Sequence, residues 1–220
     1  MAVKETIAEA RIHRTIEALR KNNINGYLAE SREDAARLVR EIVPKGARIS
    51  CGGSVTLQES GILDLMRSGY YDFLDRNRPG ITPEEIREIY LQTYGCDAFF
   101  TSANAITEQG ELYNVDGNGN RISAIIYGPK KVIVIAGANK IVPNLEAAVY
   151  RVKTVAAPCN GIRLNTGTPC ALSGRCVAVE GSMTDGCRSP KRMCVHYLTS
   201  GFQRDKDRIH VIFLKESLGY

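Results

Sequence analysis

The chain has 220 residues, 44% of them hydrophobic and 24% charged, with a formal net charge of +5. This usage is ordinary for a globular protein and excludes disorder along the whole length. The length suits one α/β-sized domain over residues 1–220, with elaborations. The basic excess is dispersed (Arg11/Arg14, Lys130/Lys131, Arg188/Lys191/Arg192, Arg204/Lys206/Arg208), and no aromatics interleave with a basic strand. No nucleic-acid partner is therefore indicated, whereas a mildly basic surface or a small-molecule anion as ligand both fit. No apolar run approaches the ~20 residues of a membrane helix. The charged start lacks an apolar signal core, so a cytoplasmic protein with no membrane partner is expected.

In chain order, residues 4–22 place Ile7, Ile12, Ile16 and Leu19 at helical spacing, and "NING" closes this N-terminal helix (residues 1–24) with Gly26 as the end signal. "GYLAE" reads as a short strand. "SREDAARLVREIVPKG" is a helix capped by Ser31 and stopped at Pro44-Lys45-Gly46. "ARISCGG" is a strand entering glycines, and Ser54 or Thr56 caps the helix that follows. "TPEEIREIYLQTYG" is a helix with Thr82 as cap and Pro83 at its first position. "CDAFFTSANAIT" is a buried strand running into a loop, and "GELYNVDGNGNRISAIIYG" reads as a hairpin about Asp-Gly/Asn-Gly. "KKVIVIAGANKIV" is another buried strand, "PNLEAAVYRVKTVAAP" a helix, and "RIHVIFLKESLGY" a last strand. Strands alternate with helices and several strands are continuously apolar. The expected fold is α/β, with a mostly parallel sheet and helices on both faces.

Three strand ends gather polar residues where open α/β sheets bind ligands. At the first, Gly52 and Gly53 lead into Ser54 and Thr56; glycines admit a close backbone approach, and hydroxyls with free N–H groups suit an anion. The pattern is neither a Walker A motif nor a full GxGxxG, and a tight strand–helix turn is the simpler reading. At the second, Thr101, Ser102 and Asn104 precede Glu108, Glu111, Asp116 and Arg121, and a carboxylate there could serve as base or nucleophile. At the third, Gly137 is followed by Asn139 and Lys140; Lys140 could hold an anion, whereas Arg151 fits a salt bridge to a local Glu. His13 reads as surface, His210 as structural, and His196 as a weak ligand candidate.

Four of the seven cysteines (Cys170, Cys176, Cys187 and Cys194) lie within the Cys-rich segment 159–200, spaced C-x5-C-x10-C-x6-C, with Cys159 a fifth candidate. In a reducing compartment four such thiols can hold zinc or an iron–sulfur cluster. Thiol redox chemistry and inert packed thiols are the alternatives, and the absence of any CxxC leaves all three open.

The blocks "CGGSVTLQESGI", "DAFFTSANAITEQGELYNVDGNGNRISAIIYGPKKVIVIAGANKIV", "TPCALSGRC…CRSPKRMC" and "IHVIFLKESLGY" resemble the LUD-domain (lactate utilisation) family over roughly residues 10–220. The chain is similar to its short, stand-alone, YkgG-like members. The resemblance implies a fold like the NagB/RpiA/CoA-transferase group, with ligands over the strand C-termini at Gly52, Gly53, Ser54, Thr101, Asn104, Gly137, Asn139 and Lys140. That group's CoA-transferases use a Glu nucleophile; Glu59, Glu108 and Glu111 are the candidates here, and none aligns with it. Some family members work in a system that oxidises L-lactate to pyruvate, whose partner subunits carry iron–sulfur clusters. The family's cysteine segment is tighter, TPCxxTGxCxDCxSPxRxC; here "VAVEGSMTDG" separates Cys176 from Cys187.

The expected function is thus organic-acid metabolism, with a bound small anion and an iron–sulfur or zinc site. A transferase- or ligase-like enzyme on a phosphorylated or CoA-linked substrate and a non-catalytic assembly subunit are the alternatives. A homo-oligomer is compatible with all three.

Overall fold

A computed structural model describes residues 2–220 of the protein. The strands are β1 (Asn25–Ala29), β2 (Arg48–Cys51), β3 (Asp72–Phe73), β4 (Ala98–Thr101), β5 (Ala105–Thr107), β6 (Leu112–Asp116), β7 (Lys131–Gly137), β8 (Ile141–Val142), β9 (His196–Ser200) and β10 (Ile209–Leu214). The helices are α1 (Ala2–Lys21), α2 (Arg32–Ile42), α3 (Val55–Glu59), α4 (Ile62–Arg67), α5 (Pro83–Gln92), α6 (Asn120–Ile126), α7 (Leu145–Arg151), α8 (Ala157–Arg163) and α9 (Pro169–Ser173).

The main sheet runs β1-β10-β7-β4-β2-β3, and every pair in it is parallel. Its central strands bury both faces. Phe99, Val132, Val134, Val211 and Phe213 pack with Ile12, Ile16 and Leu19 of α1. Their neighbours Phe100, Ile133, Ile135, Ile212 and Leu214 pack with Val39 of α2, Leu57 of α3 and Met66 of α4. Side chains alternate across a strand, so two covered faces demand the uninterrupted apolar runs seen in the sequence. A smaller sheet, β8-β5-β6-β9, stands beside it, antiparallel except at β5–β8. Tyr113, Val115 and Val142 of this sheet bury against Ala148, Val152 and Ala157.

Local chemistry sets most boundaries. Ser31 accepts from the Asp34 N–H, Ser54 from the Leu57 N–H, and Thr82 with Glu85 closes a reciprocal box behind Pro83. Thr56 is no cap: it is buried, and its hydroxyl donates to the Leu218 carbonyl (3.3 Å).

Several expectations are corrected. α1 ends at Lys21 with Asn23 left-handed (φ 56°), whereas Gly26 belongs to β1, where a Cβ would lie 3.0 Å from Ile16. Ile7 is exposed and takes no part in the face of α1 that packs on the sheet. Residues 110–128 are not a hairpin: β6 pairs with β5 and β9, and the chain then enters α6. Gly119 at φ +79° turns the backbone there, and the Asp116 carboxylate accepts from the Arg121 and Ile122 N–H groups (3.0 and 3.3 Å). An anion at those first-turn donors favours a helix over a second strand. The helix after Asn144 does not stop at Pro158. A π-helical turn over Val152–Ala156 carries it into α8, because a proline ring clashes with the carbonyl four residues back and the wider turn makes room.

Candidate functional site

The C-terminal ends of β2, β4 and β7 open into a cleft of about 870 Å³. Gly52, Gly53, Ser54, Thr56, Asn104 and Lys140 line it. The glycines are there for space. A Cβ on Gly52 would meet the Arg121 side chain at 2.9 Å, and one on Gly53 the Arg76 Nη2 at 2.8 Å. The cleft wall is strongly basic: seven Lys and Arg side chains line it against two aspartates, Asp64 and Asp116.

Arg121 is the hub. It donates to the Ser102 carbonyl (3.2 Å), Asn114 Oδ1 (2.7 Å), Asn104 Oδ1 (2.9 Å) and the Val115 carbonyl (2.7 Å). All four acceptors are neutral, so its charge persists, and burial holds its pKa below the ordinary arginine value. Arg76 donates to the Tyr90 hydroxyl (2.6 Å) and lies over that ring, while its Nε is buried with no partner. Arg151 makes no pair with a local Glu. It is buried and donates to the Asn139 and Asn104 carbonyls (3.1 and 2.7 Å). Lys140 is 3% exposed, and its pKa is pushed down to about 7, first by burial and then by Arg151 and Arg121.

Thr101, Gly137 and Asn139 stand behind the wall. The Thr101 hydroxyl is fully buried and donates to the Ser102 carbonyl. Gly137 backs onto the last residues of the chain, where a Cβ would lie 2.5 Å from the Glu216 carbonyl oxygen. Asn139 accepts from the Leu218 N–H (3.1 Å) and donates to the Gly219 carbonyl (3.2 Å). The same tail occupies Glu59, which accepts from the Gly219 N–H (2.6 Å), and Lys140, which donates to the Tyr220 carbonyl (2.9 Å). Glu108 binds Arg11 and Arg14 of α1, and Glu111 accepts from the Thr107 hydroxyl, so both belong to the β5–β6 turn. The strand-end glycines, Asn104 and Lys140 thus come together, and the three glutamates do not join them. Arg76, Asn160, Arg163 and Tyr220 complete the wall, and no sequence motif singled them out.

Cys170, Cys176, Cys187 and Cys194 line a second, smaller cavity of about 30 Å³, with Tyr113, Met183 and Met193. The Cys194 thiol is pushed up to about 11, mainly by burial and then by Cys170 and Cys176, with Cys187 adding to them. All four thiols thus line one space. Cys159 lies on α8 outside both walls, and so does His196 of β9. Among the described residues, no group of three or more His, Cys, Asp or Glu stands in a metal-holding arrangement. Thiolates are the donors that a thiophilic centre takes. By contrast Cys51 and Cys96 are packed in and beside the main sheet, with thiols raised to about 11 chiefly by burial. His210 stacks on Tyr27 and holds the Asp207 carbonyl, a structural role.

The two cavities share a wall. Val152, Ala157, Arg192, Met193 and Cys194 line both.

The architecture is that of an α/β domain with a basic cleft over its parallel strand ends. The LUD-domain profile matches residues 12–214, and the chain belongs to that family. A crystal structure of a DUF162 family protein from Deinococcus radiodurans is similar in fold, with a TM-score of 0.52 at 13% identity, covering 94% of this chain and 98% of that one. No curated protein sequence matches. Among the described residues no helix is long and apolar enough to cross a membrane.

Proposed function

We propose that this LUD-domain protein binds a small organic-acid anion in the basic cleft and carries a zinc or iron–sulfur centre on Cys170, Cys176, Cys187 and Cys194. It would act in a redox step of lactate-related metabolism. The observation that carries this reading is the shared wall: Cys194 and Met193 face the thiol cavity on one side and the ligand cleft on the other. A ligand in the cleft therefore lies beside the centre. Bound there, the centre would supply electron transfer or Lewis acidity. The chain's own groups do the rest. Arg121 and Arg76 attract the anion, the Gly52–Gly53 turn lets it approach the backbone, and Lys140 adds a charge that depends on pH. Cluster-bearing subunits of a lactate-oxidising system are the partners this role would need.

The size and charge of the cleft favour a second reading, a transferase- or ligase-like enzyme on a phosphorylated or CoA-linked substrate. One experiment separates the two. Protein purified without oxygen is assayed for iron and zinc, then screened by thermal shift against hydroxy and oxo acids, sugar phosphates and CoA esters. Stoichiometric metal with a shift from the organic acids supports the first reading. Metal-free folded protein that responds only to phosphates or CoA esters replaces it with the second.

A further inference from the structure

The insertion between Cys176 and Cys187 (residues 177–186) contains no cysteine, yet both thiols reach the same cavity. Two cations fold it. Lys153 is 4% exposed, and its Nζ donates to the carbonyls of Ala178 (2.6 Å), Gly181 (2.9 Å) and Ser182 (2.7 Å). Its own carbonyl accepts from the Cys176 N–H (2.9 Å). Arg192 donates to the carbonyls of Thr184 (2.7 Å), Cys187 (3.0 Å) and Cys194 (2.8 Å). Between them, the two side chains hold the insertion from its start to the cysteine that ends it.

Placement and charge make this more than loop packing. Lys153 sits in the π-helical turn, where the Ala157 N–H reaches back to the Val152 carbonyl. That register shift, next to Pro158, re-aims the side chain at the loop. Carbonyls satisfy the ammonium's donors without neutralising it, and both Lys153 and Arg192 line the thiol cavity.

We infer that Lys153, acting with Arg192, is the positioning residue that returns Cys187 to the other three thiols across the insertion. This rests on the proposed thiolate centre for its purpose, though not for its geometry.

The test is pulsed labelling of reduced, metal-free protein with N-ethylmaleimide, with rates read at each cysteine by mass spectrometry. Cys51 and Cys96 report global opening. Lys153→Met should label Cys187 at least ~10-fold faster, the order expected on losing hydrogen bonds to a charged group. Cys51 and Cys96 should stay protected, and Lys153→Arg should restore part of the slow rate. An unchanged Cys187 rate with protected sheet cysteines overturns the inference. If Lys153→Met opens the whole chain, a chain with residues 177–186 replaced by two residues decides. Lys153→Met must leave that shortened chain closed, and continued opening there also overturns it. Titration with zinc alone is the second readout, in which Lys153→Met should weaken uptake. Wild-type protein that takes no zinc or iron refutes the metal centre, while the labelling rates still decide the role of Lys153.

Discussion

The cleft and the thiol cavity meet at Cys194, but they are built in different ways. The cleft takes its shape from parallel strands that end together, and Arg121 of α6 ties its wall to the segments that follow those ends. The thiol cavity takes its shape from an irregular stretch held by side-chain cations on main-chain carbonyls. The cleft should therefore resist loss of a ligand or a thiol and fail when its hub is cut. The cavity should depend on what fills it.

The largest effect expected is at that hub. Arg121→Ala leaves the acceptors on Ser102, Asn104, Asn114 and Val115 without their donor. Urea unfolding should show a loss of ~3 kcal/mol or more. Cys187→Ser in metal-free protein should cost under ~1 kcal/mol, as at a half-exposed position. If the two costs prove equal, the contrast between the regions fails.

Metal should close most of that gap. Zinc at about 100 times its dissociation constant should stabilise the wild type by ~2.7 kcal/mol, seen as a rise in Tm. Cys170→Ser or Cys194→Ser should abolish the rise, and Cys159→Ser should not. A rise that survives the first two substitutions would move the metal elsewhere.

Lys140 sharpens the comparison through pH. Its folded pKa of about 7 lies below the ordinary 10.5, so the folded chain binds fewer protons than the unfolded one between those values. Its burial costs nothing above pH about 10.5, costs more as pH falls, and reaches its full cost below about 7. Lys140→Met should therefore gain on the wild type as pH is lowered from 10 to 7 and then level off. Urea unfolding at each pH should show a gain of at most ~1.4 kcal/mol for every pH step of one. Anion binding should run the other way, weakening as pH rises through about 7 in the wild type and not in Lys140→Met, by isothermal titration. A flat profile in the wild type would remove Lys140 from the site.

The smallest effect is at Gly53. Alanine there puts a Cβ 2.8 Å from the Arg76 Nη2, the far end of a flexible side chain that can move aside. Stability should fall by under ~1 kcal/mol, while affinity for the cleft's anion drops several-fold. Unchanged affinity would take Arg76 out of the binding wall.

Much of this was legible in the chain. Continuous apolar strands with alternating helices implied a parallel sheet covered on both faces, because a strand with two buried faces has no polar side to show. The caps at Ser31 and Thr82 and the glycines after β2 were readable because they depend on residues a few positions apart, whereas Ser54 and Thr56 stood as equal candidates for the next cap. The hairpin reading of residues 110–128 failed because Asp-Gly and Asn-Gly also suit a turn into a helix. Which follows depends on the Asp116 carboxylate reaching the N–H groups of α6. Arg76 and Arg163 left no signal, since an arginine in a polar segment looks the same whether it faces solvent or a cleft.

The sequence by itself determined the α/β class and the strand ends with their glycines, because local periodicity and short-range capping write them directly, and its long motif blocks carried the resemblance to the family. Only the tertiary structure decided that the tail claims Glu59 and Asn139, that Arg121 joins three segments, and that Cys187 rejoins its partners across an insertion. Those outcomes rest on hydrogen bonds between residues far apart in the chain, where burial and charge, rather than spacing, select the partner.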